Sequence, residues 1–399
     1  MKIKYKISAI KVYTRLVYLL LCCTFTGKAN ADTQAKKWLV DLYGHTVSIE
    51  AQPALLDVNI NTQTVESAKS SLLHLMQLKE TDSLYNRLIQ LKKQYAMDDV
   101  ALLMLIKKVN AQVFSHAPEG FKQLLLLALL HKHQIDLMAG FSNGQITVYA
   151  RTNFLIDNCL FIQRGNKLYY DLSFDQKKNT SAEEALSIPE HTHALPLVMN
   201  MLTPPAFGAK THKQIIPFEY DGFMYYFSAR INVSLTSYYR ELPTISINTV
   251  YLNYGVSESV RQSLIKELKR AVYDMRTEVA VDFILKFTQQ SFDYRKDEDV
   301  YGVEKFSFPE ETLVNRFSDC EDKAMLFASM IREVLGLKSV ALYYKDAQHI
   351  NVAIQRWSTN MNGNVQFNDE KYIVCEPTMK GFAIGQNSLS TQVANLIDW

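Results

Sequence analysis

Residues 97–114 (MDDVALLMLIKKVNAQVF) align without gaps onto residues 275–292 (MRTEVAVDFILKFTQQSF), and this internal repeat constrains the fold of the 399-residue chain more than any other feature. Met97, Ile106, Lys108, Gln112 and Phe114 fall on Met275, Ile284, Lys286, Gln290 and Phe292. Apolar residues recur at helical spacing in both segments, so each is expected to be an amphipathic helix. A second apolar helix follows in each half, over 121–133 and, after a longer insert, over 321–335. Strand-like runs come next. Gln145-Ile146-Thr147-Val148 lies over His349-Ile350-Asn351-Val352, and 167–171 lies near 371–376. The pattern implies an α+β fold made of two copies of one helix-helix-sheet unit; chance similarity of two amphipathic segments is the alternative.

Between the copies the pattern changes to strands and turns: 215–220, an Asp221-Gly222 hairpin signal, 223–233, then 245–254. The stretch 176–193, rich in charge, Ser, Thr and His, is the expected loop or linker before it. The chain therefore divides into 1–31, a first copy over 32–194, a β-rich middle segment over 195–255 and a second copy over 256–399.

The first of these parts looks like an export signal. Lys2, Lys4, Lys6, Lys11 and Arg15 precede the apolar run 16–25, and Ala29-Asn30-Ala31 offers an A-x-A cleavage site. Cleavage near Ala31 would leave a periplasmic or extracellular protein. Leu and Cys, not small residues, precede Cys22 and Cys23, which favours soluble export over lipid anchoring. Losing this segment removes six Lys/Arg and no acid, turning a net charge of +2 into −4. A mildly acidic chain without basic clusters interleaved with aromatics gives no electrostatic case for nucleic acid. The densest later apolar run, 124–130, is too short to span a bilayer, so no stable membrane insertion is expected. Oligomeric state is not legible.

Cys159, Cys320 and Cys375 remain after cleavage, an odd number in an exported chain, so at least one is free or paired outside it. They are too widely spaced for a disulfide framework, and no Cys/His cluster has zinc spacing. Cys320 precedes an apolar helical run that stops at Gly336. With Ser318 as N-cap and Glu321 three residues on, Cys320 would occupy the second helical position, where unsatisfied N–H groups and the helix dipole favour a thiolate. Asp319, Glu321 and Asp322 push the other way, so an activated thiol needs an imidazolium beside it. His349 opens one strand-like run and Glu376 closes another. The Asn362-Gly363 type I′ signal between them would set His349 directly opposite Glu376. A nucleophilic thiol, an imidazole that moves its proton and a carboxylate that fixes the imidazole tautomer form a working catalytic set. Taken singly, each of the three reads more readily as structural than as catalytic.

These residues resemble the transglutaminase-like superfamily of papain-like cysteine enzymes, in the manner of its secreted bacterial members. The likeness rests on Asp319-Cys320-Glu321-Asp322-Lys323-Ala324 running into Leu326-Phe327, Ile331-Arg332 and Leu335-Gly336-Leu337, on His349 opening a strand, and on Glu376-Pro377-Thr378. It covers roughly 277–385. The resemblance implies a helix-on-antiparallel-sheet catalytic domain with Cys320 as nucleophile, His349 as general base and Glu376 as orienting acid, acting on a protein or peptide. One departure is the acid: the family usually has Asp, and Glu376 is one methylene longer. Superfamily members include crosslinking acyltransferases, peptidases, amidases and inactive relatives, so a thiol hydrolase, a crosslinking enzyme and an inactive binding or assembly protein all stay open.

In the first copy the corresponding positions are about Glu119 and Gln145, with Asp171 near the place of Glu376, which makes that copy a silent sister domain. No cofactor or metal is expected: His191-x-His193 lacks a third ligand nearby, and His131 and His133 suit the end of an apolar helix. Cys159 and Cys375 read as core thiols. The insert 293–308, present only in the copy that keeps the cysteine, is expected to wall a cleft, with a solvated loop as the alternative.

Overall fold

The computed structural model describes residues 35–397, apart from 52, 175–183, 201–203, 209, 247–254, 298, 300–301, 303–304, 316, 359–363 and 390–393. β1 (Lys36–Leu42) and β2 (His45–Ala51) pair antiparallel about a Tyr43-Gly44 turn, and both turn residues have positive φ. Period-two burial of Val40, Leu42, Val47 and Ile49 fixes which face of this hairpin packs inward. A single helical turn, Pro53–Leu56, and four longer helices follow: Val65–Gln77, Lys79–Gln94, Asp99–Gln112 and Glu119–Lys132. Caps define their starts. Thr64 and Ser67 form a reciprocal capping box, and the Asp98 carboxylate accepts from the Ala101 N–H at 2.7 Å.

The first copy then builds a sheet from β3 (Leu137–Ser142), β4 (Gln145–Arg151), β5 (Phe161–Arg164), β6 (Lys167–Asp171) and β7 (Glu184–Leu186). Its order is β5-β6-β4-β3-β7, antiparallel throughout. β7 corrects the expectation of loop over 176–193, because Glu184–Leu186 adds to the free edge of β3. Residues 176–183 lie outside the described part.

The expected Asp221-Gly222 turn joins β8 (Thr211–Tyr220) to β9 (Phe223–Asn232), a ten-residue antiparallel ladder whose Phe218, Tyr220, Tyr225 and Phe227 pack on Phe283 of the helix Thr277–Ser291. The middle segment is not all strand, however. Asn232 caps a helix, Val233–Glu241, by accepting from the Leu235 N–H. Of the strand expected over 245–254, Ile245 makes an isolated bridge to Ile156, while 247–254 lie outside the described residues.

The second copy repeats the first. After β10 (Asp293–Tyr294) and β11 (Phe317–Ser318), which pair parallel, the helix Cys320–Met330 widens into a π-helical turn, Ile331–Leu335, and ends at Gly336 in the left-handed conformation. β12 (Ser339–Tyr344), β13 (His349–Gln355), β14 (Val365–Phe367), β15 (Glu370–Cys375) and β16 (Asn395–Ile397) form a sheet of order β14-β15-β13-β12-β16. In both sheets the strands stand, by chain position, third-fourth-second-first-fifth, and every pairing is antiparallel. The fold is α+β, and the repeat read from the sequence is a repeat of topology.

One continuous core runs from Val40 through the helices of both copies to Cys375. The helix Cys320–Met330 is buried along its whole length. At roughly 1.5–3 kcal/mol per fully buried large side chain, Met325, Leu326, Phe327 and Met330 anchor the position of its first residue.

Candidate active site

Asp319, not Ser318, is the N-cap: its carboxylate accepts from the Asp322 N–H at 3.3 Å, and Ser318 belongs to β11. Cys320 is therefore the first helical residue rather than the second. Its side chain, 7% exposed, opens onto a cavity of about 920 Å³ that His349 also lines. The thiol sits against the start of β13, with the Gln348 carbonyl 3.8 Å from Sγ and the Ile350 N–H donating toward it.

The resting thiol is turned to Glu321, whose Oε2 accepts from Sγ at 2.8 Å. Burial pushes the Cys320 thiol up, and the adjacent Glu321 and Asp319 carboxylates push it further. The helix start alone does not make a thiolate here. Burial also raises the other two thiols, Cys159 to about 11, and Cys375 is wholly enclosed in the core. All three are free.

His349 and Glu376 are in direct contact. Nε2 lies 2.9 Å from Glu376 Oε2 and 3.1 Å from Asn351 Oδ1. Glu376 is completely buried and fully held: Oε2 also accepts from Ser388 Oγ at 3.1 Å, and Oε1 accepts from the Thr378 N–H at 3.1 Å. With Nε2 so engaged, Nδ1 is the ring nitrogen left for the thiol. The contact does not arise from the expected register. Asn362-Gly363 lies outside the described residues, and Val352 pairs with Cys375, so continuing the ladder sets Asn351, not His349, across from Glu376. The two-residue turn falls instead at Asn368-Asp369, both with positive φ, between β14 and β15. Glu376 lies just past the end of β15, and the longer acid reaches back to the imidazole.

Several supporting residues escaped the sequence reading. Asn351 shares the strand face of His349 at i+2 and joins it to Asn387 and Tyr344, a spacing visible as His-x-Asn. Gln289 Nε2 donates to the Glu376 carbonyl at 2.7 Å. Lys323, 1% exposed, reaches the Gln289 carbonyl at 3.5 Å, and burial lowers its ammonium to about 8.

The insert walls the cleft as expected, since Tyr294, Lys296, Asp297 and Phe306 line it. Asp297, Asp319 and Asp322 bring carboxylate oxygens within 4.8 Å of one another, the one acidic group among the described residues with metal-ligand spacing. Each already has a protein donor: Asp297 takes the Lys305 N–H, Asp319 the Asp322 N–H and Asp322 the Ser307 N–H. Burial, then the Asp319 and Asp297 carboxylates, raise the Asp322 carboxyl well above its ordinary value.

In the first copy Glu119 and Gln145 open the equivalent helix and strand, both exposed. Asp171 falls short of the place of Glu376: it ends β6 opposite Tyr149, as Cys375 ends β15. His131 and His191 stack at 3.9 Å and bond backbone carbonyls, and His133 bonds Asp99 and Tyr85. No helix among the described residues is long and apolar enough to cross a membrane. The chain matches no protein-family model, no curated protein and no solved structure.

Proposed function

We propose that the chain is an exported, thiol-dependent acyl-transfer enzyme with a transglutaminase-like catalytic unit, hydrolysing amide or peptide bonds through Cys320, His349 and Glu376. The observation that carries this reading is the His349–Glu376 contact at 2.9 Å beside a cysteine at a helix start, in one open cavity. Export rests on the sequence pattern of residues 1–31, which lie outside the described part.

Cys320 Sγ leaves Glu321 and gives its proton to His349 Nδ1, and Glu376 stabilises the imidazolium that results. The thiolate attacks the carbonyl carbon. The Cys320 amide N–H, which opens the helix and has no intrahelical acceptor, is the donor offered to the oxyanion. Collapse breaks the C–N bond, and the amine departs with the proton from His349. Water, deprotonated by His349, then cleaves the thioester to acid and free thiol. Water is the default acceptor in an open cleft, and an amine in its place would give crosslinking instead.

The thiol's engagement with Glu321 favours a second reading, a binding or assembly protein that keeps Cys320 without using it. Incubating the mature protein with a complex peptide mixture separates the two. Hydrolysis products that vanish in Cys320→Ser are expected; binding without any Cys320-dependent product would support the second reading.

A further inference from the structure

The cleft is not made by the second copy alone. Asp157 from the β4–β5 connection of the first copy and Ser246 from the middle segment line the same cavity as Cys320 and His349. These two segments are clamped together. The Asp157 N–H donates to the Thr244 carbonyl at 2.8 Å, the Ser246 N–H donates to the Leu155 carbonyl at 2.9 Å, and the buried Ile156 and Ile245 bridge antiparallel between them. These bonds flank Ile156 and fix the backbone up to the Asp157 N–H, so the Asp157 side chain starts from an anchored point.

Other acids at this cavity are committed within the protein: Asp319 caps the helix, Asp297 takes the Lys305 N–H and Glu321 takes the thiol. The Asp157 carboxylate has neither a hydrogen bond nor an ion pair among the described residues, although it is half-buried, and burial raises its pKa. Lys296 and Lys345 also line the cavity, but both are exposed, where water and salt screen them. The sheltered charge is felt more strongly by a bound group than the rim charges are. A half-buried carboxylate without a partner is destabilising until a cation meets it.

We propose that Asp157 of the silent copy is a specificity residue of the cleft, selecting peptide substrates that carry an ammonium or guanidinium group near the scissile amide. This rests on the thiol-enzyme reading and gives the first copy a task in it: to recognise substrate.

Three dipeptidyl chloromethyl ketones test it, one with norleucine at both positions and two with lysine replacing either norleucine. Neutral iodoacetamide reports the thiol independently. At least one lysyl probe should alkylate Cys320 about tenfold faster than the norleucyl probe, as expected for one close charge pair. Asp157→Asn, which keeps the backbone clamp and the side-chain shape, should erase that preference while leaving the iodoacetamide rate unchanged. Labelling by iodoacetamide with no lysyl preference in the parent, or with a preference that survives in Asp157→Asn, overturns the specificity role alone. No labelling of Cys320 by any reagent overturns the nucleophile and the specificity role together.

Discussion

The two copies carry the same strand order, the same all-antiparallel pairing and a helix ahead of the sheet, yet they treat three equivalent places in opposite ways. Glu119 opens its helix in solvent, hydrogen-bonded to Gln123 one turn on, and Gln145 opens its strand exposed. Cys320, His349 and Glu376 are drawn inward, and Glu376 is 0% exposed, with both of its carboxylate oxygens hydrogen-bonded from inside the protein. Burying a carboxylate is costly unless it is fully paired. The first copy demonstrates that this topology forms without that cost, so the second copy's polar cluster is not a requirement of the fold. The cluster therefore supports the catalytic use proposed for it.

The largest break in this comparison should come from the imidazole. His349→Ala removes proton transfer and should lower turnover by on the order of 10²–10⁴ without unfolding the protein, measured as rate against circular dichroism. Glu376→Gln keeps shape and one hydrogen-bond partner but loses the charge that favours imidazolium, so a smaller loss with an altered pH–rate profile is expected. Parent-like activity for Glu376→Ala across the pH range would remove it from the mechanism.

A change in the other direction should follow from Glu321→Gln. Its carboxylate raises the Cys320 thiol, so removing the charge lowers the thiol's pKa and enlarges the thiolate fraction at any pH below it. Alkylation of Cys320 should quicken several-fold, about what one screened neighbouring charge supplies, and the rising limb of its pH profile should move to lower pH. A slower reaction would mean that Glu321 helps the thiol rather than restrains it. The smallest effect belongs to the silent copy: Glu119→Ala and Gln145→Ala should leave the chemical step unchanged in single-turnover measurements. A large loss in either would end the division of labour between the copies.

The sequence carried what depends on period and local chemistry. Apolar spacing in 97–114 and 275–292 revealed the repeat, Asp221-Gly222 gave the hairpin turn, and Gly336 gave the helix stop. What it hid depends on competition between alternatives. Asp319 and Ser318 are both good caps, and strand pairing of Ser318 with Tyr294 decided between them. Asn362-Gly363, the stronger turn signal, lies outside the described residues, and the short β14, which no turn signal announced, pairs with β15 about a turn at Asn368-Asp369. Residues 233–241, inside the segment read as β-rich, form a helix on which Leu235, Tyr238 and Tyr239 bury together at helical spacing. Asp157 could not have been found at all, because only the tertiary fold brings it to the cavity of Cys320.

The central claim is that Cys320 is activated by His349 and not by the helix start. Peptide mapping after brief iodoacetamide treatment of the folded protein, repeated across pH in the parent and in His349→Ala, measures this at all three thiols. The account predicts that Cys320 is alkylated ahead of the more exposed Cys159 and of Cys375, and that His349→Ala abolishes the lead. Alkylation of Cys159 first with Cys320 inert, or a Cys320 rate indifferent to His349, would contradict it.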